Sequence, residues 1–243
     1  MDITNNQGIL SDADSMTLAV IQPFSIDSHT GSLVVANKVH SFVNWATDVD
    51  LKTGVPNKLA SASTHQDYNA KGVCPAALGT KDQQPAAYSP RTGLMYIPLN
   101  HVCMTYEPVE SKYVAGQPWV GATLTMFAGP DGVMGGFTAW DPIKGKNVWY
   151  NKEKFSAWGG VLTTASDLVF YGTLDRWFKA VDAQSGKELW KFQVGSGVIG
   201  NAFTYGHKGK QFVGVLSGIG GWAGVAMNLG MTNPTDALGA AGG

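Results

Sequence analysis

Hydrophobic positions in this chain fall in short runs rich in β-branched and aromatic residues, each bounded by turn formers. The clearest are Leu168-Val169-Phe170-Tyr171, Trp177-Phe178-Lys179-Ala180-Val181 and Phe212-Val213-Gly214-Val215-Leu216. Such runs predict strands, because branched and ring side chains pack well on a pleated, half-buried surface. One strand–turn–strand unit is written twice. Ala139-Trp140-Asp141-Pro142-Ile143-Lys144-Gly145-Lys146-Asn147-Val148-Trp149 returns as Ala180-Val181-Asp182-Ala183-Gln184-Ser185-Gly186-Lys187-Glu188-Leu189-Trp190. Each copy predicts an inner strand ending at Asp, a tight turn closed by Gly, and an outgoing strand that ends on Trp. Recurrence after about 40 residues marks stacked propeller blades. In such a unit the Asp accepts hydrogen bonds from turn amides, the Gly supplies the positive φ, and the Trp fills the gap between neighbouring blades.

Worn copies surround this pair. Residues 25–35 keep Asp27 and Gly31 but lose the Trp; Asp50-Leu51-Lys52-Thr53-Gly54 and Ser89-Pro90-Arg91-Thr92-Gly93-Leu94-Met95-Tyr96 are further turn-and-strand fragments. Residues 1–24 show no period and read as an atypical lead-in. Residues 25–232 read as a partial β-propeller, and 233–243 as an Ala/Gly-rich tail. Segments 55–87 and 104–136 exceed hairpin loops and are rich in Pro, Gly, Ser and Ala. They read as insertions, where sites on a repeat scaffold are usually built. The fold class is therefore all-β, a segment of about four blades. A ring takes more, so a single copy is an open arc with an exposed edge unless it belongs to something larger or closes by association.

Composition narrows the classes. The 243 residues include 31 Gly and 8 Trp against 14% charged residues, which suits tight-turned buried sheets. A net charge of −1 provides no basic stripe for nucleic acid and no polybasic membrane anchor. No apolar run approaches the roughly 18 residues of a membrane span. No Lys or Arg precedes Lys38 and the apolar stretch 18–21 is too short for a secretory core, so no signal peptide is visible. Cys74 and Cys103 either pair, closing a loop of about 30 residues worth roughly 3 to 4 kcal/mol, or remain two buried thiols. Neither has the His or Cys neighbours of a zinc site. His40, His65, His101 and His207 lack a partner at ligand spacing and read as loop or packing residues. Trp140, Trp149, Trp177 and Trp190 read as blade packing, and Lys152-Glu153-Lys154 as a solvated turn.

Two glycine–aromatic clusters remain. Trp158-Gly159-Gly160 precedes a predicted strand, and Gly218-Ile219-Gly220-Gly221-Trp222-Ala223-Gly224 follows one. Each is either a turn with a packing Trp or a place where backbone approaches a flat ligand beside an indole wall. Their neighbours are distinctive: Gly72-Val73-Cys74-Pro75-Ala76-Ala77-Leu78-Gly79-Thr80-Lys81-Asp82-Gln83-Gln84-Pro85-Ala86-Ala87-Tyr88-Ser89-Pro90, then Asn100-His101-Val102-Cys103-Met104, Ala115-Gly116-Gln117-Pro118-Trp119-Val120-Gly121-Ala122-Thr123-Leu124 and Trp158-Gly159-Gly160-Val161-Leu162-Thr163-Thr164-Ala165. In this order they closely resemble the pyrroloquinoline quinone (PQQ)-dependent methanol dehydrogenases. The Lys81-Asp82-Gln83-Gln84-Pro85 wording is most similar to the lanthanide-using branch. The likeness runs from about Ser25 to the end and covers only the C-terminal part of those eight-bladed enzymes.

The resemblance implies a quinone on the propeller axis beside a Ca²⁺ or lanthanide ion. It also implies oxidation of a small primary alcohol such as methanol to the aldehyde, a cytochrome c acceptor, a periplasmic location and a homo-oligomer. Carried over by position, Asp82 lies against the quinone, and Trp158, Gly159, Gly221 and Trp222 supply pocket backbone and ring. Trp222, Leu229 and Leu238 form the small apolar pocket for the alcohol, where size exclusion matters because one methylene is worth only about 1 to 3 kcal/mol of discrimination. Cys74 and Cys103 match a structural disulfide. Against these stand plainer readings: Asp82 caps a loop through its carboxylate, and Leu229 and Leu238 are ordinary packing. The family's catalytic base, ion-holding carboxylates and adjacent-cysteine disulfide belong to its N-terminal half, so this chain is assigned no catalytic residue and no metal ligand. The expectation is the C-terminal part of a quinoprotein alcohol dehydrogenase, inactive alone. The alternatives are a non-catalytic propeller module that binds partners and a non-functional remnant.

Overall fold

The computed structural model describes residues 24–26, 29–30, 32–39, 42–116 and 121–220. Among them all regular structure is strand apart from one 3-10 turn, Ala60–Ala62, and no helix is long and apolar enough to cross a membrane. The chain forms two compact units, Met1–Thr80 with Val102–Asp131, and Lys81–His101 with Gly132–Gly243.

In the first unit β1 (Phe24–Ile26) pairs with β2 (Leu33–Ala36), and β3 (Ala46–Val49) with β4 (Pro56–Lys58), both antiparallel. β5 (Ala70–Val73) follows. The chain then runs through β6 (Ala87–Ser89) and β7 (Leu94–Asn100) of the second unit and returns as β8 (Val102–Pro108) and β9 (Ala122–Ala128). The sheet order is β5-β8-β9. β9 alternates half-buried and exposed residues along its whole length, the period of a strand with one covered face. Cys74, just past β5, is bonded to Cys103 on β8, and both are buried. Asn44 braces this junction: its Oδ1 accepts from Cys74 N at 2.8 Å, and its Nδ2 donates to Gly72 O at 2.7 Å.

The second unit holds two four-stranded antiparallel sheets. One is ordered β6-β7-β10-β11, with β10 (Gly135–Asp141) and β11 (Lys146–Glu153). The other is β12-β13-β14-β15, with β12 (Leu162–Thr163), β13 (Leu168–Gly172), β14 (Trp177–Asp182) and β15 (Glu188–Gln193). A hairpin of β16 (Phe203–His207) and β17 (Lys210–Gly214) follows. All seven residues of β10 are buried, as befits a central strand covered on both faces. Thus the chain adopts the all-β, blade-built architecture that its repeat predicts.

The repeat's turn works as its residues dictate. Asp141 Oδ1 accepts from Ile143 N at 3.0 Å and Lys144 N at 2.9 Å, and Gly145 closes the turn at φ +62°. Asp182 Oδ1 accepts from Gln184 N, Ser185 N and the Ser185 hydroxyl, with Gly186 at φ +71°. Asp50 in the first unit repeats the device, its Oδ1 accepting from Lys52 N at 2.8 Å with Gly54 at φ +73°. These donors hold the three carboxyls below their ordinary value of 3.8, led by the Lys144 amide at Asp141, the Ser185 hydroxyl at Asp182 and the Lys52 amide at Asp50. A depressed carboxyl contributes stability that is complete above its unfolded pKa and disappears as pH falls through the lower folded one. The melting temperature should therefore hold down to about pH 5 and drop below about pH 4. The double variant Asp141→Asn, Asp182→Asn should show a shallower acid limb, and an unchanged limb would remove these turns as its cause.

The outgoing Trp joins the two sheets. Trp149 Nε1 donates to Ala183 O at 3.0 Å, and the same carbonyl accepts from the Tyr96 hydroxyl at 3.2 Å. A Cβ on Gly186 would stand 2.6 Å from Trp149 Cδ2, so the indole lies on the next repeat's turn. Tyr96, Phe137, Ala139, Val169, Tyr171 and Val181 fill the core around it. Trp190, the same letter in the next copy, is 49% exposed, and β15 is exposed along its length. Lys152-Glu153-Lys154 is not a solvated turn. Glu153 ends β11 with its side chain 7% exposed and takes Lys179 Nζ at 2.8 and 2.9 Å.

Candidate functional site

Strand direction sorts the second unit into two ends. The turns closed by Gly93, Gly145 and Gly186 lie at one end of the sheets, since each links a strand's C-terminus to the next strand's N-terminus. At the other end lie the segments that enter β6 and β12, the end of β7 at Asn100, the start of β10 and the end of β11. Val161 N donates to Pro85 O at 3.1 Å and ties the two entering segments together. This second end therefore gathers Lys81, Asp82, Gln84, Asn100 and Trp158.

Asp82 is held by its main chain. Its N–H donates to Gln84 Oε1 at 2.9 Å, and its carbonyl accepts from Lys81 Nζ at 2.9 Å. Its carboxylate accepts no hydrogen bond among the described residues, so the loop is capped by a neighbouring carboxamide and not by Asp82. Burial pulls the Lys81 amine below its ordinary value, and the nearby Asp82 charge pushes it back up. Gln84 was not singled out from the sequence, nor was Asn100, and each is 1% exposed.

Several buried polar atoms at this end have no partner among the described residues: Gln84 Nε2, both amide atoms of Asn100 and Trp158 Nε1, with Arg176 Nε in the β13–β14 turn. Leaving a buried donor or acceptor unsatisfied costs about 1–3 kcal/mol each, so a protein rarely gathers several without a ligand or water to meet them. The glycines beside Trp158 answer to protein contacts. A Cβ on Gly159 would lie 3.3 Å from the carbonyls of Gly172 and Val198, and one on Gly160 would strike the Asn201 amide. Gly218 N donates to Gly197 O at 2.8 Å, a parallel bridge at Val198. Gly221, Trp222, Leu229 and Leu238 lie outside the described residues.

Glu153 forms a second polar cluster beside this end. It accepts from the Tyr171 hydroxyl at 3.0 Å as well as from Lys179, and Lys179 Nζ stands 5.9 Å from the Tyr171 ring centroid. Burial raises the Glu153 carboxyl, with Lys179 and Tyr171 opposing; burial and the Glu153 charge raise the Tyr171 phenol strongly. Among the described residues no group of three His, Cys, Asp or Glu side chains is placed to hold a metal ion.

Comparison with known proteins returns one lineage. The sequence pattern of the glucose/ethanol/alcohol dehydrogenase beta-propeller domain matches residues 141–213. A lanthanide-dependent methanol dehydrogenase of Methylorubrum extorquens is 56% identical over 230 residues, 90% of this chain and 38% of the relative. Subunit 1 of the methanol dehydrogenase [cytochrome c] of Methylobacterium organophilum is 45% identical over 225 residues, 90% of this chain and 36% of the relative. Among solved structures a europium-containing methanol dehydrogenase superposes with a TM-score of 0.80 at 45% identity, over 89% of this chain and 38% of that one. The chain thus spans well under half the length of the relatives it matches.

Proposed function

This chain belongs to the PQQ-dependent alcohol dehydrogenase family, and on that premise we propose that it supplies one wall of a quinone site in an enzyme oxidising a small primary alcohol to the aldehyde. The observation that carries this reading is the set of unpartnered buried polar atoms of Gln84, Asn100 and Trp158 at the end of the sheets where Asp82 lies. Three of those groups include donors, and a planar quinone edged with carbonyl and carboxylate oxygens is an acceptor-rich ligand, so the residues fit the group. Two-electron acceptance is the chemistry the quinone would supply when bound.

The chain's own residues bind and orient. Trp158 would offer an indole wall and Nε1–H, with the Gly159 backbone beside it, and Asp82, an acceptor when ionised, would face a ring N–H of the quinone and not its carboxylate edge. By the resemblance Gly221 and Trp222 would take part in the quinone site, and Trp222, Leu229 and Leu238 in the pocket for a small alcohol, all of them outside the described residues. Onward electron transfer would be to a cytochrome c, with the periplasm as the setting. The ion beside the quinone is a lanthanide, following the Lys81-Asp82-Gln83-Gln84-Pro85 wording, with Ca²⁺ as the alternative. Its ligands and the general base are not assigned to this chain, so the 243 residues alone are expected to bind quinone without turning over alcohol.

Equilibrium dialysis of the chain against the quinone, with and without a lanthanide, tests this. Saturable binding is expected, weakened about tenfold or more in Trp158→Ala and Asp82→Ala, since hydrogen bonds to charged groups carry about 1.5–3 kcal/mol. Methanol and an artificial dye added to the same mixture should give no reduction. Absence of saturable binding, or binding indifferent to both substitutions, would overturn the quinone wall; dye reduction would overturn the division of labour.

A further inference from the structure

We propose that Gln84 is the positioning residue of this end, the side chain that sets the direction in which Asp82 faces the site. Asp82 sits half-buried in a segment of the second unit without regular structure, between Thr80 and β6. Nothing among the described residues holds its carboxylate. Its orientation therefore comes from its peptide, and the amide side of that peptide is fixed by one contact, the 2.9 Å bond to Gln84 Oε1. Gln84 can act as a fixed post because it is 1% exposed, whereas Gln83 beside it is exposed. The next residue, Pro85, gives its carbonyl to Val161 N, so the post is anchored to the segment carrying Trp158. Gln84 in this way couples two groups that approach the site from different sheets. The Asp82 carbonyl, in the following peptide group, accepts from Lys81 Nζ, a side chain more exposed than Gln84 and entropically costlier to order.

What Asp82 is held for rests on the quinone reading, whereas the holding itself can be measured without any ligand. Amide hydrogen exchange on the full chain should show Asp82 and Val161 at least about tenfold faster in Gln84→Met, whose thioether is at best a weak acceptor, with Ala180 in β14 unchanged. Gln84→Asn, one methylene too short to reach, should do the same. Gln84→Glu keeps an oxygen in place and should restore protection at both amides. Should the Met variant fail to fold, the Asn and Glu pair decides alone. Quinone dialysis is run in parallel: where the wild-type chain binds, the Asn variant should bind about tenfold more weakly or worse and the Glu variant should keep protection at Asp82. Unchanged exchange at Asp82, or equal acceleration at Asp82 and Ala180, would reduce Gln84 to ordinary packing and overturn its role. A wild-type chain that binds no quinone would instead sink the quinone wall while the exchange data still decide the role of Gln84.

Discussion

Truncating Trp149 to alanine should destabilise the chain by about 3 to 5 kcal/mol, the range for removing a large buried aromatic that its surroundings cannot collapse around. The same truncation at Trp190 should cost less than half as much. The two residues occupy the same position in two copies of one unit, so propensity, turn chemistry and unfolded-state effects largely cancel between them. What differs is what lies opposite. Trp149 is 9% exposed, donates to Ala183 O and rests on the Gly186 turn, while Trp190 is 49% exposed and its ring contacts among the described residues are with Phe178 and Phe192 of its own sheet. Gly186→Ala should be costly for the same reason, because its φ of +71° disfavours a side chain and the new methyl would press on the indole. In a double-mutant cycle part of that cost should vanish once Trp149 is alanine. Urea denaturation of the wild type, the three single variants and the double variant measures all of this. Equal losses at Trp149 and Trp190 would mean that the joint between the sheets contributes nothing special.

That contrast also marks where sequence reading stops. The Asp-to-Gly turns were legible because everything they need is local: an acceptor at the first position, free amides two and three residues on, and a glycine that tolerates positive φ. The period then assigned Trp149 to the gap between blades. The identical wording around Trp190 makes the same promise, but whether an indole is covered depends on a neighbour that the letter itself does not encode. Glu153 was misread for a related reason. Flanked by Lys152 and Lys154 it resembles solvated charge, and only the register of β11 against the second sheet turns it inward to Lys179, a partner 26 residues on.

The candidate site followed the same rule. Asp82 and Trp158 were placed by wording that resembles a known family, while the device that holds Asp82 was missed because Gln83 and Gln84 are chemically identical neighbours. Which of the two faces inward is decided by how the segment enters β6, a matter of tertiary packing. The glycines of Trp158-Gly159-Gly160 read as an approach surface for a ligand, and the space where a Cβ would stand is occupied by the end of β13 at Gly172, by Pro85 and by the chain around Val198 and Asn201. On their Cβ sides, Gly159 and Gly160 are thus required by the scaffold.

Removing the Lys179 amine should unmask the cost of burying Glu153, and the pH dependence of that loss separates it from lost packing. With its partner gone, a carboxyl 7% exposed cannot remain charged cheaply, so Lys179→Met leaves Glu153 to take up a proton when the chain folds. The cost of protonation has a ceiling set by the unfolded carboxyl, whose ordinary value is 4.5. At 1.36 kcal/mol per unit, about 2.5 units separate that value from pH 7, giving a loss of about 3 kcal/mol. At pH 5 the same variant should lose less than about 1 kcal/mol beyond any packing defect. The sign follows from a raised folded pKa: protonated Glu153 is favoured in the folded chain, so stability is retained near and below pH 4.5 and is lost as pH rises toward the folded value. The double variant Glu153→Gln, Lys179→Met leaves a neutral amide that can still accept from Tyr171, and it should recover most of the loss at pH 7, because a removed buried pair is far less harmful than a broken one. Urea midpoints at pH 5 and pH 7 for the single and double variants suffice. A loss independent of pH, or a double variant as weak as the single, would show that Lys179 acts through its methylenes and not through its charge.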